Sequence, residues 1–307
     1  MSGIFDADLF AAVLRISTPV LLVAMGGLFS MRAKLFNFGV EGFMLIGCFF
    51  SIFIVDKTNN LWLGLLGGAV AGMLISIVYG IAVIHLKASA IIASVGLNLL
   101  GVGLTTFLLR PIFNTSGAYR PPNIQAFPIV EIPFIKDIPF IGDVLSGHTP
   151  LVYIALLLVI VSQILMFKTP LGLAIQSVGD NIEAARTAGI NPNKILWLTV
   201  LWGGFFSGLG GAHLAIGYVS AFSQEMTAGR GYTAFTAIVF GAENPLFTFL
   251  ACLVFGFADA LGIRLEIQGF GLHPSLIKTF PFILAVAVLS ISSAIRIRRR
   301  KSAQQLL

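Results

Sequence analysis

Long apolar runs alternate with short polar breaks along almost the whole chain. They fall near residues 9–31, 37–55, 61–86, 89–109, 151–167, 195–217, 232–240, 246–263 and 278–295. At 1.5 Å of rise per residue, about 20 apolar residues cross a bilayer as a helix. Most of the runs reach that length. The run 232–240 does not, so a half-helix or part of a broken helix is expected there. The pattern predicts an all-α polytopic membrane protein with about eight to ten membrane segments, built as a single domain over 1–307.

Two of the breaks are long. Residues 110–150 hold Pro111, Pro121, Pro122, Pro128, Pro133, Pro139 and Pro150, a density that disfavours long helices and favours extended or turn structure. Ile129, Ile132, Phe134, Ile135, Phe140 and Ile141 make the stretch too apolar for a free linker, so an ordered cap on one face of the membrane is expected. The second break, 168–194, is polar: KTPLGLAIQSVGDNIEAARTAGINPNK. Glu183 to Ala188 is a helix-forming run that Gly189 and Pro192 are expected to stop. A short helix at the membrane surface follows from this.

Composition supports the membrane reading. Of 307 residues, 57% are hydrophobic and only 10% are charged, against about 25% charged in soluble domains. The start, MSGIFDADLF, lacks the basic region of a cleaved signal peptide, so the first run is expected to remain as a helix. Basic residues set the orientation. The tail, 296–307, carries Arg296, Arg298, Arg299, Arg300 and Lys301 and is expected in the cytoplasm. Counting back through nine segments places Arg32, Lys34, Lys87, Lys168, Arg186 and Lys194 inside. The count puts Asp6, Asp8, the N-terminus and 110–150 outside. The net charge of +6 then reflects cytoplasmic bias and anionic lipid, and calls for no nucleic acid.

Little in the chain suggests bond-making chemistry. Cys48 and Cys252 both sit inside apolar runs, and His85, His148, His213 and His273 show no metal-ligand spacing. No GxxxxGK[ST] phosphate cradle is present. Small residues one turn apart, Gly64, Gly68 and Gly72, and Gly203, Ser207 and Gly211 with Gly204 and Gly208 beside them, point to close helix packing.

In 168–194 the pattern E-A-A-x-x-x-G, within V-G-D-N-x-E-A-A-R-x-A-G-I, resembles the coupling loop of ABC importer permeases. The strings FNFGVEGFMLIG (36–47) and GRGYTAFTAIVFG (229–241) resemble signature segments of the branch that imports sugars, branched-chain amino acids and nucleosides. Nucleoside permeases served by a membrane lipoprotein receptor are similar over nearly the whole chain. The I-x-L-P ending of some coupling loops is replaced here by Ile195-Leu196-Trp197.

The resemblance implies a non-catalytic permease subunit in the cell membrane. It implies that Glu183, Ala184, Ala185, Arg186 and Gly189 dock in a groove of a separate ATPase subunit, which binds ATP and Mg, while this chain binds no cofactor. Small residues at that helix end would enter the groove closely, and Glu183 and Arg186 would set its register by charge at the rim. A second permease, related but different, and an extracytoplasmic binding lipoprotein on the 110–150 side are the further partners implied. The solute implied is a nucleoside, with a simple sugar next.

Ionisable residues within the bilayer are costly and so functional or paired. Arg15, Glu41 and Asp259 qualify. Arg15 and Asp259 fall at similar depth, so an ion pair between them is expected, with a role in selecting a polar substrate as the alternative. Glu41 lies between Gly39 and Gly42, with Asn37 able to cap a helix there. Gly229 to Thr233 has a similar character in the second half. Gly-interrupted segments in corresponding places are the best sequence pointer to a translocation path, which nominates Asn37, Glu41, Asn98, Tyr232, Thr233 and Asp259. Asn98 and His213 could bond either a polar solute or a neighbouring helix. An ion-coupled transporter is the alternative class, but it usually carries more carboxylates deep in the membrane.

Overall fold

The computed structural model describes residues 6–122, 124, 127–133 and 141–267. The expected segment 278–295 and the basic tail 296–307 lie outside the described residues, as does part of 110–150. In chain order the helices are α1 (Ala7–Arg32), α2 (Val40–Thr58), α3 (Leu61–Gly80), α4 (Ala90–Phe113), α5 (Ile141–Leu145), α6 (Pro150–Lys168), α7 (Pro170–Asp180), α8 (Ile182–Thr187), α9 (Pro192–Ala212), α10 (Arg230–Phe240) and α11 (Pro245–Ile267). Wider π-helical turns, Ile81–His85 and His213–Val219, continue α3 and α9.

Among the described residues six helices are long and apolar enough to cross a membrane: α1, α3 with its π turn, α4, α6, α9 with its π turn, and α11. This is a polytopic all-α membrane protein. Helix α2 has 19 residues but carries Glu41, Asp56 and Lys57 near its ends. It is buried along most of its length and packs on α3, α9, α4 and α10. Helix α10 has 11 residues, roughly 16 Å of rise, or about half a bilayer core. The outward faces of α3, α4 and α6 expose Trp62, Leu66, Leu74, Ile92, Leu99, Phe107, Leu157, Ile160 and Ile164. So large an apolar surface is unfavourable in water and suits lipid.

Small residues let the central helices touch. The most extensive helix contact is between α3 and α9. A Cβ on Gly72 would lie 2.7 Å from Gly208 Cα, and one on Gly208 would lie 3.0 Å from Gly72 Cα. Only glycine on both sides permits this separation.

The two ends of the bundle are closed by polar contacts. At one end Asp6 caps α1, accepting from Leu9 N at 3.1 Å, and forms a two-pronged pair with Arg264 of α11. The Arg264 guanidinium holds the Asp6 carboxyl below its usual range. On the same side Ala118–Tyr119 (β1) pairs antiparallel with Phe222–Ser223 (β2). Tyr119 donates to Asp56 at 2.5 Å and stacks on Phe113. That bond pushes the Tyr119 phenol up to about 12. Farther along, Val130 bridges to His148, and Tyr153 donates to the Val130 and Leu145 carbonyls. Helix α4 runs through Pro111 to Phe113, slightly past the start assigned to this stretch, because a proline in the last turn costs little helix beyond it.

At the other end, residues 168–194 hold two helices where the sequence suggested one. Their polar composition hid α7, whose Ile175 and Val178 are buried while Leu171 and Leu173 stay exposed. Pro192 does not act only as a stop: it opens α9, where its missing N–H is no loss.

Candidate functional site

Between α1 and α2 the chain leaves helix for residues 33–39. Backbone groups exposed by such a break need partners within the protein. Leu35 N donates to Ser30 O at 2.9 Å. Tyr79 donates to Phe36 O at 2.7 Å. Phe38 N donates to Ser94 Oγ at 3.1 Å, and Phe38 O accepts from Asn98 Nδ2 at 3.1 Å. Gly39 N donates to Asn37 Oδ1 at 3.2 Å. The break is thus a built feature held by α3 and α4.

Glu41 sits in the first turn of α2 and is 8% exposed. Its carboxylate reaches the start of α10, accepting from Gly229 N at 3.0 Å and Gly231 N at 2.6 Å. The orphan N–H groups and positive end of α10 therefore meet a buried negative charge. Gly231 must lack a side chain, since a Cβ there would lie 2.6 Å from Glu41 Cα. Gly229, at φ +82°, supplies the left-handed entry to the helix.

Asn98 completes the junction. Its Oδ1 accepts from Gly42 N at 2.8 Å, and its Nδ2 donates to Phe38 O and to Tyr232 Oη. Asn98 thus bonds the neighbouring segments while also lining the cavity described next. The Tyr232 ring stacks on Phe38 at 4.7 Å. A cavity of about 270 Å³ opens here, lined by Glu41, Asn98, Val102, Glu225, Thr227 and Tyr232 among others. It lies between α2, α4 and the chain entering α10.

The other nominated residues sit elsewhere. Asn37 does not line this cavity; its amide lies near Ser30 and Gly203. Thr233 and Asp259 line a separate cavity of about 500 Å³ with Arg15 and Arg230, on the other side of α10. Arg15 and Asp259 share that cavity but make no ion pair, contrary to the expected pairing: depth alone does not bring side chains together when one lies exposed and the other half-buried. Arg230 lines the same cavity, and its Nη1 donates to the Met226 and Thr227 carbonyls. His213 is buried where α9 meets its π turn. Among the described residues no group of three metal-binding side chains occurs.

The short helix α8 is cut out by local signals. Asn181 caps it, its Oδ1 accepting from Glu183 N and Ala184 N at 3.0 Å each. Gly189, at φ +82°, ends it, with Ile190 N bonded to Ala185 O and Gly189 N to Arg186 O. Glu183 and Arg186 pair with each other at 3.1 Å. Both are well exposed, so in this state they neutralise one another instead of presenting separate charges. Ala184, Ala188 and Gly189 are exposed, but Ala185 is buried. The small residue expected at the docking surface thus faces inward at 185, because one side of even a six-residue helix must pack.

Residues that the sequence did not nominate also matter. Tyr79 and Ser94 hold the break at 33–39. Glu243 ties the end of α10 to Lys34. A tyrosine or serine inside an apolar run was the available signal for the first two, but nothing local marks their partners.

Residues 9–289 match the family described as the branched-chain amino acid transport system permease component. A guanosine ABC transporter permease protein of Bacillus subtilis is 36% identical, covering 82% of this chain and 81% of its own length. A nucleoside ABC transporter permease protein of Lactococcus lactis is 33% identical, over 92% and 90%. A putative glucose ABC transporter permease protein of Haloferax volcanii is 32% identical, over 93% and 92%. No solved structure matches. With a match across nearly its whole length and a bundle of membrane-crossing helices to carry it, the chain belongs to the family of branched-chain amino acid transport system permease components.

Proposed function

We propose that this chain is the membrane subunit of an ATP-driven nucleoside importer. It supplies the path and the gate, and a separate ATPase docked at α8 supplies the free energy. A second, related permease and an extracytoplasmic binding lipoprotein complete the assembly in the cell membrane. In this reading Arg32, Lys34 and 168–194 face the cytoplasm, and β1, β2 and the start of α1 face out. Basic residues on the first face favour that orientation.

The observation that carries the proposal is the cavity, apolar-walled with a few convergent polar groups, where the starts of α2 and α10 meet at Glu41. Broken helices with their N-terminal ends at a membrane cavity are a recurrent device for polar solutes. Tyr232, 37% exposed and backed by Phe38, offers an aromatic face to a nucleobase. Glu41 and Glu225 offer acceptors to sugar hydroxyls and base N–H groups. An aromatic face can take either a nucleobase or the apolar face of a sugar, and the similarity to guanosine and nucleoside permeases is what favours a nucleoside.

The test is uptake into proteoliposomes holding the chain with its ATPase and second permease and supplied with the binding lipoprotein. ATP-dependent uptake of labelled guanosine is expected, with glucose a poor competitor. Uptake by this chain alone on an ion gradient would overturn the proposal.

A further inference from the structure

Helix α10 is short, and both of its ends are held by carboxylates lying outside the helix. Glu41 holds its start. Glu243, in the turn after its end, pairs with Lys34 at 2.9 Å and with Arg32 at 3.7 Å. Arg32 in turn donates to Gln176 of α7 at 3.0 Å. The backbone of Gly179 also presses on Arg32, so that a Cβ there would strike the Arg32 carbonyl. An unbroken chain of contacts therefore runs from the α7–α8 pair through Arg32 and Glu243 to α10, and through Glu41 to the cavity.

The backbone on either side of α10 is left-handed. Ala228 (φ +46°) and Gly229 (φ +82°) precede α10, and Ala242 (φ +49°) and Glu243 (φ +59°) follow it. Left-handed non-glycine residues are held there at a cost, and such sites cluster where segments switch. A cleft of about 380 Å³, lined by Lys34, Leu35, Asn181, Ile182 and Glu183 among others, leaves α8 room to move against the Lys34 segment. The Glu243 pairing contributes little to stability, because Lys34 is 59% exposed and solvent screens it. Its position joins the Arg32–Lys34 segment, on which α7 rests, to the end of α10.

We propose that α10 is a lever linking the ATPase-docking loop to the solute cavity, and that Glu243 is the positioning residue that attaches it. This rests on reading 168–194 as the docking surface. A push on α8 reaches Arg32 and Lys34, tilts α10 about its two joints, and withdraws or presents the Glu41–Tyr232 wall of the cavity.

The test uses the complete transporter in proteoliposomes and reads ATP hydrolysed per nucleoside delivered, per assembled complex. Glu243→Gln should raise that ratio about fivefold or more, with nucleoside binding unchanged. Lys34→Gln, from the other side of the pair, should raise it too. Glu243→Asp, which keeps the charge, should stay near the parent value. An unchanged ratio in Glu243→Gln and Lys34→Gln overturns the lever, and so does an equal rise in Glu243→Asp. Glu183→Lys is the control for docking. If it uncouples while Glu243→Gln does not, the lever alone fails; if it leaves coupling intact, the docking reading fails and the lever with it.

Discussion

Glu41 is 8% exposed in a helix packed inside the bundle, and its presence there has a specific cause. Each carboxylate oxygen satisfies one orphan N–H of α10. Glu41→Gln keeps the shape but turns one acceptor into a donor facing a buried N–H. A buried unpaired N–H costs about 1–3 kcal/mol. Thermal unfolding of the purified protein should show that loss, and ATP-driven uptake should fall with it. Equal stability and uptake in Glu41→Gln would mean that the carboxylate is not the cap. The glycines beside Glu41 made this position conspicuous in the sequence. Its partners, 188 and 190 residues away, were not readable, because hydrogen-bond partners across a fold leave no local pattern. Asn98 shows the same limit: its polarity in an apolar run was visible, but its three bonds were not.

At the scale of the element, α8 was the part most legible in advance. The run Glu183–Ala188 and the stop at Gly189 were readable, and the structure uses both, while the cap by Asn181 came only from the structure. Nothing lies within 4 Å of a Cβ at Gly189, so substitution there is limited by backbone conformation and not by space. Gly189→Val forces a branched residue into the left-handed region at a cost of about 1–2 kcal/mol. Gly189→Asn accepts that region more readily. Proteoliposome uptake should therefore be lost or strongly reduced in Gly189→Val and largely kept in Gly189→Asn. Equal loss in both would show that the side chain, not the turn, is what the ATPase rejects. The neighbouring α7 was missed, since an amphipathic helix with polar residues on one side reads as loop in a polar stretch.

For the whole molecule, the two closed ends define a sidedness. Asn114 lies at the end with β1 and β2, and Thr187 lies at the end with α8; both are exposed. The native cysteines are buried and unpaired, so they should stay silent. An impermeant thiol reagent applied to intact cells should label Asn114→Cys at once. It should label Thr187→Cys only after the membrane is opened. The reverse pattern would invert the topology and move the docking surface to the wrong side for an ATPase.

The sequence by itself determined that the chain crosses the membrane many times, that 232–240 is too short to cross alone, and that a short helix over about 183–188 ends at Gly189. These follow from run length, charge and capping residues, all of which act over a few neighbours. Only the tertiary structure decided that Glu41 holds α10, that Thr233 and Asp259 face a different cavity from Tyr232, and that Glu243 joins α10 to Arg32 and Lys34. Each of those depends on how helices far apart in the chain are rotated and set against one another. In this bundle that setting follows from glycine faces such as Gly72 on Gly208, where close packing fixes the rotation that a hydrophobic pattern leaves free.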